Sequence, residues 1–204
     1  MFRSVFFILF ICCLSMLSFA QVKNRVVQVG FAYGLGTEFE NKNYSYTNHY
    51  YKLQFYFEVK ETKKVSYQIL IQPELNFATH QLLNLYFIEP DEPDYIEKRE
   101  RYTKLKDIKE YVLNLGFLVR KPLSNQASLY ALGSVGPMIT DTETEGLSKG
   151  FAFADVIALG VTFKMYRITI DLRPSIRHVS NAGLQKKNSG YTTKNIDFGL
   201  LFAL

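Results

Sequence analysis

Apolar and polar side chains alternate with period two in eight stretches of the chain, each about ten residues long and separated by turn-forming or strongly polar segments. The clearest puts Tyr51, Leu53, Phe55, Phe57 and Val59 on one face and Lys52, Gln54, Tyr56 and Glu58 on the other. The pattern recurs over 25–35, 65–77, 111–120, 151–164, 166–180 and 196–204. It is blurred over 127–139, where Gly and Pro intervene. Alternation of this kind makes two-faced β-strands, because successive side chains leave opposite sides of an extended backbone. The apolar faces are long, aromatic and continuous, whereas the polar faces mix charges of both signs with small residues. A soluble sheet turns its apolar face to a core and its polar face to water. Here the apolar surface is too extensive to be solvated, and the mixed face suits an interior filled by hydrogen-bonded side chains. The fold expected is all-β, an eight-stranded antiparallel up-and-down transmembrane β-barrel.

The connections agree with that expectation. Polar segments at 36–47, 78–107, 141–150 and after Ser180 alternate with short turns at 60–64, 121–125 and Met165-Tyr166. Short turns then share one end of the barrel with both termini, and long loops share the other. Eight strands leave room inside for side chains only, so no solute pore is expected.

Composition alters the picture at the N-terminus. Arg3, the apolar run from Val5 to Leu17 and the small-residue site Ser18-Phe19-Ala20 read as a secretory signal peptide over 1–20, leaving 21–204 as a single barrel domain. Cys12 and Cys13 follow the bulky Phe10 and Ile11, which argues against a lipoprotein site. Both cysteines lie in the segment expected to be removed, so no disulfide or thiolate metal site is expected. After that segment no apolar run reaches the length of a membrane helix. The 14 Tyr and 17 Phe, with no Trp, suit strands bearing aromatic girdles. Loss of Arg3 lowers the formal charge of +5 by one. That balance is compatible with an anionic lipid surface, while the scatter of Lys and Arg among Glu and Asp argues against nucleic acid.

Arg167, Asp171, Arg173 and Arg177, with Glu58 and Glu74, are expected to form an ion-pair network inside the barrel. The dispersed His49, His80 and His178 make no metal constellation, and no cofactor is expected. His49 and His80 are read as solvated near loop ends, and the charge run 97–106 as a solvated loop.

One feature resists a purely structural reading. In the seventh strand Ile168, Ile170, Leu172, Pro174 and Ile176 define the apolar face, and that face continues into His178 and Ser180. A base and a hydroxyl two residues apart leave the same side of a strand, at its upper, loop-bearing end. The plainer interpretation is a pair of rim residues that hydrogen-bond lipid headgroups. The chemical one is a serine activated by an adjacent general base, acting on a lipid ester reached from within the membrane.

The residues around the pair favour the second. His178-Val179-Ser180-Asn181-Ala182-Gly183, followed by Asn188-Ser189-Gly190, resembles the His-x-Ser-Asn-Ala and Asn-x-Gly elements of the outer-membrane lipid A 3-O-deacylases (acyloxyacyl hydrolases). That resemblance implies an ester hydrolase of the bacterial outer membrane, with its active site facing the outer leaflet and lipid A of lipopolysaccharide as substrate. It implies Ser180 as nucleophile and His178 as general base, with Asn188 and the Gly183 backbone amide forming the oxyanion hole. Asn181 and Ala182 support the motif. The family's triad acid falls two residues after the Asn-x-Gly glycine, and here that position is Thr192. A hydroxyl can orient an imidazole but brings no charge to stabilise imidazolium, so a lower rate is expected. Asp155, placed opposite Ile176 and diagonal to His178 if Lys164 pairs with Arg167, is the other candidate to orient the histidine. The alternative is a non-catalytic small barrel with a structural or adhesive role among outer-membrane lipids. The sequence leaves a homodimer open.

Overall fold

The computed structural model describes residues 26–204. The expected signal peptide, 1–20, and residues 21–25 lie outside the described residues. Eight strands, β1 (Val26–Glu38), β2 (Tyr44–Glu61), β3 (Ser66–Leu82), β4 (Lys106–Pro122), β5 (Ala127–Thr140), β6 (Gly150–Met165), β7 (Ile168–Ser180) and β8 (Tyr191–Ala203), pair antiparallel in sequence order. β1 also pairs with β8, which closes the barrel and leaves no sheet edge. A closed sheet satisfies every ladder group internally, the condition for strands to cross hydrocarbon.

The expected faces hold on seven strands, except at Val27, which packs against an interior cluster where β1 bulges; on β5, where Gly and Pro blurred the pattern, the two faces are distinct. Leu129, Val135 and Ile139 of β5 point out while Tyr130, Leu132 and Met138 point in. A row of direct cross-strand partners, Tyr33–Tyr51–Leu75–Tyr111–Ile139–Phe151, runs round the outer wall, climbing with the strand tilt from the middle of β1 to the loop end of β6. Tyr67, Phe163 and Phe202 are outward-facing aromatics on the turn side. Outward-facing aromatics of this kind suit a wall that meets a bilayer.

Charge is concentrated inside. Arg173 donates to Asp197 (Nε–Oδ2 2.7 Å), which Lys52 also contacts at 3.1 Å, with Glu74 3.5 Å from the same lysine. Nearer the loops, Arg177 Nη2 lies 2.7 Å from Glu110, whose carboxylate also accepts from Asn76 at 2.6 Å and from Tyr46 and Tyr191. The expected network therefore exists, with altered membership. Arg167 is exposed in the β6–β7 turn, Glu58 is only half-buried, Asp171 accepts from Tyr130 at 2.7 Å and makes no ion pair among the described residues, and Glu110, Asp197 and Lys52 take their places. Glycines opposite large rings, Gly34 against Tyr50 and Gly160 against Tyr130, leave room for rings that a Cβ would meet.

Connections differ from expectation mainly at the loop end. β1 and β2 continue well into the region read as the first loop, which shrinks to residues 39–43. The segment read as one long loop is structured: β3 extends to Leu82, β4 begins at Lys106, and between them lie a 3-10 turn (Leu85–Phe87) and a helix, α1 (Tyr95–Tyr102). α1 buries Tyr102 against Leu82 and Ile88, so part of the charge run is helical. The β6–β7 hairpin turns at Tyr166–Arg167 instead of one residue earlier, with Met165 paired to Ile168.

Candidate active site on the outer wall

β7, β8 and the loop between them carry every candidate residue except Asp155. The alternation of β7 turns Arg177 and Val179 into the barrel and leaves His178 exposed and Ser180 half-buried on the outer face. On one side His178 is the direct cross-strand partner of Thr192 in β8, and its Nδ1 lies 2.9 Å from Thr192 Oγ1. On the other its partner is Asp155 of β6. Asp155 is thus opposite His178, not opposite Ile176 as expected, because the one-residue shift of the turn moves each partner by two. His178 therefore stands between a hydroxyl and a carboxylate, both on the outer face, and is hydrogen-bonded to the hydroxyl. Among the described residues neither Ser180 nor Asp155 hydrogen-bonds to His178. The strand brings Ser180 and His178, the expected nucleophile and base, to one face, one repeat apart, without closing the contact between them.

Residues 181–190 are shaped by the motif itself. The Asn181 backbone N–H donates to Asn188 Oδ1 at 2.7 Å, and Asn181 Nδ2 donates to the Lys187 carbonyl at 2.6 Å, so Asn181 staples the two halves of the loop. Since the backbone donor must meet the amide oxygen, Asn188 is left with Nδ2 as its free donor. The Gly183 N–H, expected as the second oxyanion donor, instead donates to Asn181 Oδ1 at 3.1 Å and shapes the turn. Ala182 (φ 53°) and Gly183 (φ 76°) make that turn in the left-handed region. Gly190 is obligatory for two reasons: its φ is 63°, and a Cβ there would run into the Val179 carbonyl oxygen.

A support for this loop was not foreseen. Residues 141–149 lie against it: Gly190 N donates to Gly146 O at 2.8 Å, and Leu147 forms a β-bridge with Asn188. Farther out, Lys187 Nζ lies 2.9 Å from Glu143, and both bond Tyr102 of α1. The half-buried Glu143 carboxyl is pushed up by burial. The hydrogen bonds from Tyr102 and Lys187, with the lysine's charge, outweigh that and hold it below the usual carboxylate range. His80, read as solvated, is buried and paired with Glu145 at 3.1 Å. His49 does lie on the outer face, stacked on Phe77. A lone buried leucine (Leu147) within a polar loop was the only sequence signal that 141–149 folds inward.

Below Asp155 and His178 the outer wall has a trough lined by Ile157, Ile176, Val135 and Gly133, where a Cβ at Gly133 would meet nothing within 4 Å. A second apolar trough, at Pro73 and Pro137, contains none of the candidate residues.

Fold and site together define an eight-stranded barrel with an apolar outer wall and a serine–histidine pair on that wall. The sequence matches the family described as lipid A 3-O-deacylase (PagL) over residues 94–200, more than half of its length, and the chain belongs to that family. The outer-membrane enzyme PagL is similar in structure, with a TM-score of 0.59 at 11% identity, covering 86% of this chain and 99% of that one. Neisserial surface protein A (NspA) aligns with a TM-score of 0.50 at 10% identity, covering 89% of this chain and 99% of the other. At these identities the likeness is one of fold. No curated protein matches the sequence significantly.

Proposed function

We propose that the chain is a serine esterase of the bacterial outer membrane that removes an ester-linked acyl chain from lipid A. Family membership supports the substrate class, and the observation that carries the mechanism is the 2.9 Å bond from His178 Nδ1 to Thr192 Oγ1 on the face that bears Ser180. With Nδ1–H donating to the hydroxyl, Nε2 keeps its lone pair and acts as the base toward Ser180 Oγ, closing the gap by side-chain rotation when substrate binds. Ser180 Oγ attacks the ester carbonyl as its proton passes to Nε2, and charge develops on the carbonyl oxygen, where Asn188 Nδ2 donates. Collapse expels the sugar alkoxide, which takes the proton from His178. Water then repeats the sequence on the acyl-enzyme.

Thr192 orients the imidazole, and Asp155, its other cross-strand neighbour, supplies the charge that favours imidazolium. A carboxylate on a lipid-facing wall is costly unless paired, and the transient His178 cation is a partner for it. The trough beneath the pair suits an acyl chain, and substrate enters sideways from the outer leaflet.

The test is mass spectrometry of lipid A after incubation with purified protein and with its Ser180→Ala variant. Loss of one acyl chain with the wild type alone is expected; intact lipid A in both ends the enzyme reading. A second reading, a non-catalytic barrel, draws on Thr192 at the acid position and predicts that intact outcome.

A further inference from the structure

Behind the outer-wall pair, inside the barrel mouth, lies a buried cluster to which the mechanism above assigns no role. His80 of β3 and Glu145 of the loop 141–149 face each other at 3.1 Å, with side chains 1% and 4% exposed. Two chains of contact leave this pair. The first runs through Tyr44 of β2, whose ring stacks on His80 with centroids 5.4 Å apart. The Tyr44 hydroxyl accepts the Thr192 backbone N–H at 3.4 Å, and Thr192 is the residue that holds His178 Nδ1. The second runs along the loop. Glu145 sits in a tight turn closed by Thr144 N–H donating to Leu147 O (2.9 Å) and Leu147 N–H donating to Thr144 Oγ1 (3.0 Å). The next residue, Gly146, accepts from Gly190 N–H at 2.8 Å and Ser189 Oγ at 3.3 Å, and Leu147 bridges Asn188.

The two chains therefore end on the two parts of the site that need fixed geometry: the residue that orients the histidine, and the amide that would receive the oxyanion. β7 cannot fix either by itself, since Thr192 is the second residue of β8, next to the loop, and Asn188 belongs to the loop. Nor is the pair needed to close the barrel, because the β2–β3 ladder continues past His80 to Leu82 and the β3–β4 ladder is unbroken as far as His80 and Lys106. A buried carboxylate is costly to desolvate, and a single polar contact to an imidazole is a poor return if its only task were stability.

We propose that Glu145 and His80 are positioning residues, a shared anchor that sets Thr192 and Asn188 relative to Ser180 from the inner side of the wall. The assignment rests on the deacylase reading given above, so its experiment pairs a kinetic measurement with one that needs no activity. The full chain, refolded in detergent, is prepared as wild type, Glu145→Ala, Glu145→Gln and His80→Phe. The last keeps a ring against Tyr44 but removes the polar contact, approaching the same bond from the strand side. Folding is read from the mobility of unheated samples on gels.

Glu145→Ala and His80→Phe should lower kcat on lipid A about tenfold or more with KM within about twofold, since the loss is one of orientation. Glu145→Gln, which keeps an acceptor for His80, should recover most of the rate. Amide hydrogen exchange over 186–192 should be faster in Glu145→Ala and His80→Phe than in wild type and restored in Glu145→Gln, with mid-strand exchange in β7 unchanged. Wild-type exchange over 186–192 in folded Glu145→Ala and His80→Phe overturns the proposal, and so does faster exchange with undiminished kcat. If the wild type leaves lipid A intact, the deacylase reading fails separately, and the exchange result alone decides whether the pair anchors the loop.

Discussion

His178 has a different partner on each side, and the two differ in what they can give it. The Thr192 hydroxyl, 2.9 Å from Nδ1, sets the ring plane; it offers no charge to imidazolium. Asp155 offers charge without a hydrogen bond. If the tasks are divided this way, Thr192→Val and Asp155→Asn should each lower kcat by about tenfold. That falls well short of the ~10⁴ lost where the only orienting carboxylate is neutralised. The double variant should lose more than either alone, and an unchanged kcat in Asp155→Asn would remove the carboxylate from the mechanism. The location of Asp155 also shows what the sequence could and could not supply. Its face followed from alternation, but its partner depended on the turn. That turn places Tyr166 at φ 56°, a conformation usually signalled by Gly or Asn. With Tyr there, no residue marked the turn. An error of one residue kept every side chain on its face while moving every partner by two.

At the scale of elements, the site depends on loops that alternation says nothing about. The helix α1 was hidden because Tyr95–Tyr102 is mostly charged, with little apolar periodicity to betray it. The inward fold of 141–149 was hidden because its determinants are contacts with distant segments. α1 and these two loops meet in the Tyr102–Glu143–Lys187 cluster, which ties 141–149 to 181–190 on the aqueous side. The sign of its pH dependence follows from Glu143, whose carboxyl titrates lower when folded than when free. Such a group contributes stability fully above its unfolded value of about 4.3 and loses it as pH falls through the lowered value. Amide protection factors in both loops, with the intrinsic pH dependence of exchange divided out, should therefore be steady from neutral pH down to about pH 5 and fall below about pH 4. In Glu143→Gln the loops should be more open at neutral pH and the acid step should disappear. The same step in the variant would assign it to other carboxylates.

For the whole molecule, the distribution of polarity is the reverse of a soluble barrel's, and it was legible because a period of two persists through eight strands. The faces on which Lys52, Glu74, Asp171, Arg173, Arg177 and Asp197 lie came directly from that period. Which of them meet is a matter of distance across the barrel, and this brought in Glu110, from the other side, as the centre of the upper network. Glu110 is fully buried and is the only carboxylate within ion-pair distance of Arg177 among the described residues. It also accepts from Tyr46, Tyr191 and Asn76. Glu110→Ala would strand a buried guanidinium together with three donors, a loss of about 3–5 kcal/mol. On the outer wall the rule inverts. Leu200 faces outward opposite Phe31 and Ile170, among apolar neighbours near mid-height. Leu200→Arg should cost about 2–4 kcal/mol in a bilayer, because the charge must enter hydrocarbon. In detergent micelles that give Arg access to water the penalty should shrink, whereas the Glu110→Ala penalty should be the same in both, since its cause lies inside the barrel. Denaturant unfolding of the two variants in vesicles and in micelles checks this directly. A Leu200→Arg cost that is equally large in micelles would mean that the outer wall packs against protein instead of lipid.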